Sequence, residues 1–251
     1  MLDQFSRTRM LLGTSAMERL AESTVAIFGI GGVGGHTVEA LVRSGLGRIA
    51  IFDDDKICLT NLNRQIIATR DTVGQSKVEV MAERIRSINP KIEIETHQVF
   101  YGPEVADQFD FSKYDYIVDA VDTVTAKLEL VKRANTAGTP IISSMGAANK
   151  LDPTAFEVTD IYKTQNDPLA RVMRRELRKL EIKSLKVVYS KEKARKPIED
   201  TSSDCKQNCI CPPDVARTCT SRRQIPASNA FVPGTAGLII AGAVICDLVE
   251  L

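Results

Sequence analysis

A glycine-rich turn between two apolar runs is the feature that most constrains the fold of this chain. Residues 25–28 form a short apolar run, and the turn after them carries Gly29, Gly31 and Gly34 in the spacing G-x-G-x-x-G. A helical pattern follows, and then a second apolar run at 48–52. This order predicts a strand–turn–helix–strand unit, in which the glycines let the backbone approach a phosphate at the helix N-terminus. The unit predicts a nucleotide-binding site without saying which nucleotide it binds.

Strand and helix patterns alternate along much of the remaining chain. Strands that alternate with helices are typical of a parallel, doubly wound sheet. We therefore predict an α/β fold with a Rossmann-like, mainly parallel sheet in a single domain, 1–251. Its nucleotide-binding half is 1–150, and its substrate-facing half, 151–251, is a C-terminal extension. The predicted helices are 1–22, 35–44, 73–88, 124–137, 168–180 and 234–249, and the predicted strands are 25–28, 48–52, 92–99, 116–121, 140–143, 156–161 and 185–189.

Length and composition are those of a soluble globular protein. The 251 residues are enough for one large α/β domain, and 43% hydrophobic with 26% charged residues is an ordinary balance. The chain does not open with the charged and apolar regions of a secretory signal. Its longest weakly polar stretch, 236–246, is too short to cross a bilayer and is interpreted as a buried helix. We therefore expect a cytoplasmic protein with no membrane partner.

Positive charge is concentrated in one segment. Residues 171–196 contain 11 Lys or Arg and 3 Glu, a local charge of +8 that leaves about −7 for the rest of a chain whose net charge is +1. This asymmetry favours a polyanionic partner such as a nucleic acid. The alternative interpretation is a solvated helix face followed by a basic loop. The candidate nucleic-acid contacts are Arg171, Arg174, Arg175, Arg178 and Lys179.

Four of the six cysteines cluster in the loop 200–225. In a chain without an export signal, such a cluster suggests metal or sulfur chemistry more than disulfides. The order C-x3-C-x-C-x7-C can supply four thiolates to a structural Zn²⁺, although it is not the spacing of a standard zinc finger. Two alternatives stay open: a thiol relay with a sulfur-acceptor or cysteine desulfurase partner, and a loop of reduced cysteines. The four residues are Cys205, Cys209, Cys211 and Cys219.

Two cations and two carboxylates indicate the chemistry at the glycine turn. Arg64 follows the second predicted strand and Lys77 lies near the start of the next helix, so both can reach a triphosphate on the turn. Cations at phosphates stabilise the charge that develops on a leaving pyrophosphate. Asp53 ends the second strand, where a ribose hydroxyl is bound, and Asp122 ends a later strand, where a carboxylate can hold Mg²⁺. The set suits attack on the α-phosphate of ATP, which is adenylation.

The histidines weigh against a dinucleotide-dependent redox enzyme. The chain has only His36, inside the first turn of a predicted helix, and His97, in a predicted strand. Each is more typical of a structural residue than of an acid or base for hydride transfer. An NAD(P)-dependent oxidoreductase would also leave Arg64 and Lys77 without an evident role.

The motifs together resemble those of the E1-like activating enzymes, which adenylate carboxylates. The matching stretches are GIGGVGG at 29–35, Asp53 followed by NLNRQ at 61–65, VGQSK at 73–77 and DAVD at 119–122. The resemblance implies an ATP site with Mg²⁺, in which Arg64, Lys77 and Asp122 are catalytic. The implied ATP-binding residues are Gly29, Gly31, Gly32, Gly34, Asp53, Asp55, Asn61, Arg64, Gln65, Lys77 and Asp122.

The same resemblance implies a homodimer. In these enzymes an N-terminal arginine reaches across the dimer into the ATP site of the neighbouring subunit. Arg7 matches that residue and would be the fourth catalytic group, and Arg9 is the second candidate.

Within this superfamily the chain is most similar to the tRNA threonylcarbamoyladenosine dehydratases. The stretches that carry the similarity are TNLNRQI at 60–66, VEVMAERIRSINP at 78–90, VTDIYKTQNDPLA at 158–170 and VVYS at 187–190. That branch implies ATP-dependent cyclisation of N6-threonylcarbamoyladenosine at position 37 of tRNA to a hydantoin, through an acyl-adenylate. The basic segment 171–196 would then bind tRNA phosphates.

Two other functions remain open at the level of sequence. The first is an adenylyltransferase that activates the C-terminus of a ubiquitin-like sulfur carrier, against which the basic segment weighs. The second is a nucleotide-sensing protein without turnover. The first predicts pyrophosphate exchange that depends on a carrier ending in Gly-Gly.

Overall fold

A computed structural model describes residues 2–198 and 226–251 of the chain. Within these residues, seven strands form one sheet and seven helices surround it. The strands are β1 Thr24–Phe28, β2 Arg48–Phe52, β3 Glu93–His97, β4 Tyr116–Asp119, β5 Ile141–Ser144, β6 Phe156–Asp160 and β7 Lys186–Ser190. The helices are α1 Ser6–Leu12, α2 Thr14–Glu22, α3 Gly34–Arg43, α4 Lys77–Ile88, α5 Val124–Ala137, α6 Pro168–Lys179 and α7 Val232–Val249.

The strand order of the sheet is β3-β2-β1-β4-β5-β7-β6. Every pairing is parallel except that of β6 with β7, so the antiparallel strand lies at an edge. The chain winds outward from β1 in one direction to β3 and then restarts on the other side at β4. This reversal is the topological switch point at which open α/β sheets bind ligands. The predicted doubly wound, mainly parallel sheet is confirmed.

Alternation along the central strand divides the core between the two faces of the sheet. Val25 and Ile27 of β1 pack on the side of α3, α4 and α7, whereas Ala26 and Phe28 pack on the side of α5. Successive side chains of a strand point to opposite faces, so a strand buried on both faces is a continuous apolar run. A third apolar cluster joins α5 and α6 to β7. The second half of the chain therefore completes the same sheet.

Several predicted boundaries move in the structure. The helix predicted at 1–22 is broken at Gly13, whose φ of 87° separates α1 from α2. The helix predicted from residue 73 begins at Lys77, because residues 70–72 form a 3₁₀ turn and Gly74 has a φ of 90°. The strand predicted at 92–99 is limited to β3, and the strand predicted at 116–121 ends at Asp119.

Helix α7 begins two residues before the predicted helix 234–249 and extends beyond the weakly polar stretch 236–246 on both sides. It spans 18 residues and is apolar enough, by length and composition alone, to pass for a membrane span. Its buried face instead packs in the core beside α3, where the Thr37 hydroxyl donates to the Gly237 carbonyl over 3.0 Å. The helix begins at Val232, and the Asn229 side chain accepts the backbone N–H groups of Phe231 and Val232. This burial agrees with the interpretation as a core helix.

Candidate functional site

The glycine turn follows β1 and therefore lies at the switch point. Two of its glycines allow close backbone contacts there. Gly29 has a φ of 91°, and a β-carbon there would lie 2.8 Å from the carbonyl oxygen of Ala120, at the end of β4. A β-carbon on Gly34 would lie 1.8 Å from the carbonyl oxygen of Gly29. The turn is thus folded tightly against both β4 and its own helix, which only residues without a side chain permit. This packing holds the N-terminus of α3 at the carboxyl edge of the sheet.

A cleft of about 580 Å³ opens above this edge. Its volume is that of a typical small-molecule site. Gly34 is outside the cleft lining, consistent with its packing role beneath the turn. The other ten predicted ATP-binding residues all line the cleft: Gly29, Gly31, Gly32, Asp53, Asp55, Asn61, Arg64, Gln65, Lys77 and Asp122.

Lys77 is the buried cation of the cleft. Its ammonium lies 2.7 Å from Asp55 and 3.3 Å from Asp53, and its side chain is only 6% exposed. Burial alone would lower the pKa of Lys77, but the two carboxylates outweigh burial and raise the pKa above its ordinary value. The backbone fixes this arrangement, because Lys77 N–H donates to the Asp55 carbonyl over 3.1 Å. Lys77 is therefore a permanent positive charge at a defined position.

Asp53 ties the glycine turn to the loop after β2. One carboxylate oxygen accepts the backbone N–H of Ile30 over 2.7 Å, and the other accepts that of Asp55 over 2.9 Å. Oδ1, which accepts from Asp55, also accepts from the Lys77 ammonium, whereas Oδ2 has a second lone pair that can still accept a hydrogen bond from a hydroxyl. Asp53 consequently has a structural task in the turn besides the predicted contact with a ribose.

Arg64 crosses the glycine turn. Its guanidinium donates to the Thr60 carbonyl over 3.0 Å and to the Asn63 side chain over 2.9 Å. Its aliphatic part passes close to Gly32, where an added β-carbon would lie 3.3 Å from Arg64 Cγ. The small residue at position 32 therefore lets the arginine lie flat over the turn.

Gln65 and Asn61 occupy the same wall of the cleft but differ in their hydrogen bonding. Asn61 Oδ1 accepts the backbone N–H of Cys58 over 3.0 Å and so stabilises the local turn. Gln65 is buried, and its Oε1 has no hydrogen-bond partner within residues 2–198 and 226–251. A buried, unpaired amide oxygen is costly, so this oxygen is available to a donor group that enters the cleft.

Asp122 lies at the mouth of the cleft on the turn after β4. It is exposed, and the Thr123 hydroxyl donates to its carboxylate over 3.3 Å. It directly precedes α5. An accessible carboxylate at the mouth of the cleft fits a hard cation such as Mg²⁺ that arrives with a phosphate group. The chemistry of this donor set is consistent with the predicted magnesium site.

A wall of the cleft that the sequence did not predict is formed by residues at the end of β5 together with residues of the second half of the chain. Residues 144–148, Leu169, Ser228 and Pro233 line it. Asn149, with a φ of 61°, orients this wall: its N–H and side chain pair with the backbone of Ala227, and its carbonyl accepts the N–H of Arg195. The only local signal was the run of small residues after a strand. The partners of Asn149 are 46 and 78 positions away, so their proximity is a tertiary property.

An aromatic floor was also missed. Phe28 and Phe52 stack with their ring centroids 4.1 Å apart, and both line the cleft beside Val99, Phe100 and Tyr101. Burial raises the pKa of Tyr101 well above its ordinary range. The sequence showed these residues only as apolar positions in or just after separate strands. Together they make an apolar surface that suits a flat ring system.

Comparison with known proteins places this site in a family. The sequence profile of the ThiF family matches residues 5–245. The tRNA threonylcarbamoyladenosine dehydratase of Bacillus subtilis is 45% identical over 251 residues, which are 100% of this chain and 96% of that protein. The chain belongs to the tRNA threonylcarbamoyladenosine dehydratases of the ThiF family. The resemblance inferred from the motifs is confirmed.

Solved structures of this dehydratase family share the fold over nearly the whole chain. The Escherichia coli tRNA N6-threonylcarbamoyladenosine dehydratase in complex with AMP has a TM-score of 0.85 and 32% identity, and the match covers 98% of this chain and 94% of that one. The complex of the same enzyme with ATP has a TM-score of 0.82, with the same identity and coverage. The second half of the chain is therefore part of the dehydratase fold.

Helix α6 carries the five basic residues predicted to bind nucleic acid in this dehydratase. Arg175 and Lys179 each donate to Glu176 over 2.7 Å, and Arg178 lies over the Tyr162 ring at 5.4 Å. Arg174 is partly buried and donates to the carbonyl and hydroxyl of Thr164, so it holds the helix on the loop before it. The exposed residues are Arg171, Arg175, Arg178 and Lys179.

The N-terminal arm and the cysteine loop complete the predicted set. Arg7 is exposed on α1, whereas Arg9 pairs with Asp3 over 3.0 Å. Neither arginine belongs to the described lining of the cleft in its own chain. The four clustered cysteines, Cys205, Cys209, Cys211 and Cys219, lie outside the described residues.

Proposed function

We propose that this protein uses ATP to cyclise N6-threonylcarbamoyladenosine at position 37 of tRNA to its hydantoin form. The observation that carries the proposal is the convergence of Arg64, Lys77 and Asp122 on one cleft beside the glycine turn. The proposed substrate is the one in the names of the family members. The complexes of the Escherichia coli enzyme with AMP and ATP support ATP as the nucleotide. Among the described residues, the cleft combines features that suit phosphate, ribose and base.

ATP lies on the glycine turn with its phosphates toward the cations. Arg64 and Lys77 bind the phosphate oxygens, Asp53 accepts from the ribose, and the aromatic floor packs against adenine. Lys77 suits this role because its aspartate partners keep it charged and fixed. Gln65 offers its unpaired Oε1 to a donor of the ligand.

Asp122 would hold Mg²⁺ at the triphosphate. The metal would neutralise negative charge on the phosphates and so favour departure of pyrophosphate. The chain's own contribution is an accessible carboxylate whose position is set by the end of β4 and the start of α5.

The reaction consists of two displacements. An oxygen of the threonyl carboxylate bonds to the α-phosphorus of ATP, and the bond from that phosphorus to the bridging oxygen of pyrophosphate breaks. The carbamoyl nitrogen then attacks the activated carbonyl carbon, AMP leaves with the carboxylate oxygen, and the nitrogen loses its proton. Nucleophile and electrophile belong to one substrate, so the ring closes by proximity without a protein nucleophile.

The exposed basic face of α6 binds tRNA phosphates. Leu169, in the first turn of α6, lines the cleft, so the helix leads from the basic face to the catalytic edge of the sheet. Arg171, Arg175, Arg178 and Lys179 contribute the accessible charge. Arg174 contributes mainly by anchoring the helix through Thr164.

The active form is a homodimer in which Arg7 enters the ATP site of the partner subunit. The exposed apolar side chains of Leu2, Met10 and Leu11 on the N-terminal arm support an interface there. Arg7 is favoured over Arg9, because Arg9 is already paired with Asp3. The protein acts in the cytoplasm. A structural Zn²⁺ on the four clustered cysteines, and a sulfur-transfer partner, stay predictions.

The test is to incubate the protein with ATP, Mg²⁺ and tRNA that carries threonylcarbamoyladenosine. We expect stoichiometric AMP and a nucleoside lighter by one water in mass analysis of digested tRNA. Arg64→Ala should abolish both products, whereas Arg70→Ala, which removes an exposed arginine six positions away, should leave them unchanged. The proposal fails if no AMP forms with the modified tRNA, or if pyrophosphate exchange requires a carrier protein ending in Gly-Gly.

A further inference from the structure

Lys127 is a fully buried charge that the proposed reaction does not use. Both Lys127 and Asp119 have fully buried side chains, and their charged groups pair at 3.1 Å. Lys127 lies in the first turn of α5, which begins at Val124. A cation near a helix N-terminus opposes the helix dipole, and burial of an ammonium adds a large desolvation cost. Specific contacts must therefore offset both effects.

The contacts of Lys127 join the ends of two neighbouring strands. Its ammonium lies 3.1 Å from each carboxylate oxygen of Asp119 in β4 and donates over 2.7 Å to the carbonyl of Ser144 in β5. The Ser143 hydroxyl completes the cluster, because it lies 3.3 Å from the ammonium and donates to Asp119. One ammonium thus holds β4 and β5 together at the carboxyl edge, at the last pair of their ladder, where Asp119 faces Ser143.

The hydrogen bonds of Asp119 in this cluster fix the position of Asp122. Asp119 Oδ1 also accepts the backbone N–H of Val121 over 3.2 Å. Strand β4 ends at Asp119, so this bond shapes the turn that presents Asp122 to the cleft. Ala120, inside the same turn, abuts Gly29 of the glycine turn. A shift of this turn would move Asp122 and the phosphate-binding backbone relative to each other.

The Ser144 side determines the opposite wall. Ser144, Met145 and Gly146 leave β5 and line the cleft directly. Asp122 and this wall approach the cleft from adjacent strands, and Lys127 is the side chain bonded to both strand ends. A buried ion pair can often be replaced by apolar groups with little loss of stability, so stability alone is a weak reason for its presence.

We propose that Lys127, which touches neither ATP nor tRNA, is a positioning residue that fixes Asp122 and the wall 144–146 for the adenylation step. The inference rests on the proposed function and extends it to a residue beneath the site. Loss of the Lys127–Asp119 pair should weaken Mg²⁺–ATP binding and slow adenylate formation, separately from its effect on folding.

The test compares two variants. Lys127→Met leaves Asp119 buried without its cation, and we expect a lower Tm together with slower AMP formation. Lys127→Met combined with Asp119→Asn removes both charges with little change of shape, and we expect most of the Tm to return. The rate should nevertheless stay about tenfold to a hundredfold below that of the wild type, because the strand ends are no longer fixed.

A readout independent of turnover is ATP binding measured by calorimetry at several Mg²⁺ concentrations. In the double variant the Mg²⁺ concentration that gives half-maximal ATP affinity should rise, while the KM for tRNA stays within twofold of the wild type. Arg84→Met is the matched control, because it breaks an ion pair with Glu39 between α3 and α4, away from the cleft lining. This control should lower the Tm without changing the Mg²⁺ dependence.

Two results would overturn the inference. One is a double variant with wild-type Mg²⁺ dependence and wild-type turnover, and the other is an Arg84→Met variant that reproduces the Mg²⁺ effect. If the wild type forms no AMP with the modified tRNA, the proposed function fails, but calorimetry still decides whether Lys127 positions the Mg²⁺–ATP site.

Discussion

Two regions of this molecule use positive charge in different ways. At the edge of the cleft, the three buried lysines found in residues 2–198 and 226–251 are Lys77, Lys127 and Lys150, and each lies within 3.3 Å of an aspartate. On α6, by contrast, Arg175 and Lys179 are exposed and share the partly exposed Glu176. In the first region the cations are buried and paired with aspartates, and in the second they are exposed and share one glutamate.

The difference shows how depth determines what a charge can do. A buried ammonium on a carboxylate has one position and interacts strongly at low dielectric, so it can define geometry. An exposed ion pair contributes about 1 kcal/mol or less, and its side chains stay free to exchange partners. Exposed charge therefore acts mainly through its long-range field, which suits attraction of a polyanion. We expect substitutions at the cleft edge to alter chemistry, and substitutions on α6 to alter tRNA affinity.

The largest expected effect is that of Lys77→Met. It removes a cation from the phosphate site and leaves Asp53 and Asp55 facing each other, so AMP formation should fall by about 10² to 10³-fold. Quantification of AMP in single-turnover reactions measures this loss. Lys91→Met, which changes an exposed lysine, is the control. A Lys77→Met rate within threefold of the wild type would contradict the assignment of buried charge to chemistry.

The next effect compares two glycines with positive φ. Gly29→Ala should destabilise the protein by about 1–3 kcal/mol and weaken ATP binding, because its β-carbon meets the backbone of Ala120. Gly13→Ala has a similar φ of 87° but open space around the site, so it should destabilise less and leave ATP affinity unchanged. Chemical denaturation measures the free energy of unfolding, and calorimetry measures the affinity for ATP. Equal loss of ATP affinity in both variants would show that strain alone, without the cleft contact, explains the effect.

A smaller effect is expected on α6. The triple variant Arg171→Gln, Arg175→Gln and Arg178→Gln should raise the KM for tRNA several-fold and flatten its dependence on salt, with the KM for ATP unchanged. An equal number of exposed charges is removed elsewhere by Arg70→Gln, Arg86→Gln and Lys91→Gln. If this second triple variant raises the KM for tRNA as much as the first, α6 has no special role.

The smallest effect concerns acid stability away from both regions. Burial alone would raise the pKa of Glu39, but hydrogen bonds from Arg84 and Arg43 outweigh it and lower the pKa. A lowered carboxyl pKa stabilises the fold above the unfolded pKa of about 4.3, and this contribution disappears as the pH falls through the folded pKa. The Tm of Glu39→Gln should thus lie below that of the wild type at pH 7, and the gap should close below about pH 4. A difference in Tm between the wild type and Glu39→Gln that widens as the pH falls would contradict a lowered pKa of Glu39.

The sequence signals that brought the predicted nucleotide-binding residues to one cleft are local. The glycine turn, Asp53, Arg64 and Lys77 each follow a strand or begin a helix, and parallel strands bring such positions to one edge. Ten of the eleven predicted ATP-binding residues line the cleft, and the exception, Gly34, supports the turn from below. Helix boundaries were less well predicted at Gly13 and Gly74, where positive φ interrupts an otherwise helical pattern.

The second half of the cleft could not be predicted, because its signals are not local. Asn149 bonds Ala227, and Lys127 reaches from α5 to the ends of β4 and β5. An amphipathic helix pattern predicts that a lysine faces solvent. Lys127 is buried only because α5 packs on the sheet. The roles proposed for α6, for Arg7 and for the four cysteines stay predictions.

By itself the sequence determined the class of this protein: an adenylating enzyme on a doubly wound sheet, with a glycine turn that seats a nucleotide. The sheet and the turn follow from short-range spacing, since a turn, a cap or a strand end is fixed by its nearest neighbours. The adenylating class rests also on the motifs that resemble those of the E1-like enzymes. Only the tertiary structure decided which charges are buried and which strand ends they join. Burial depends on what packs from elsewhere in the chain, and the same lysine is a solvated charge on the surface but a fixed geometric element within the core.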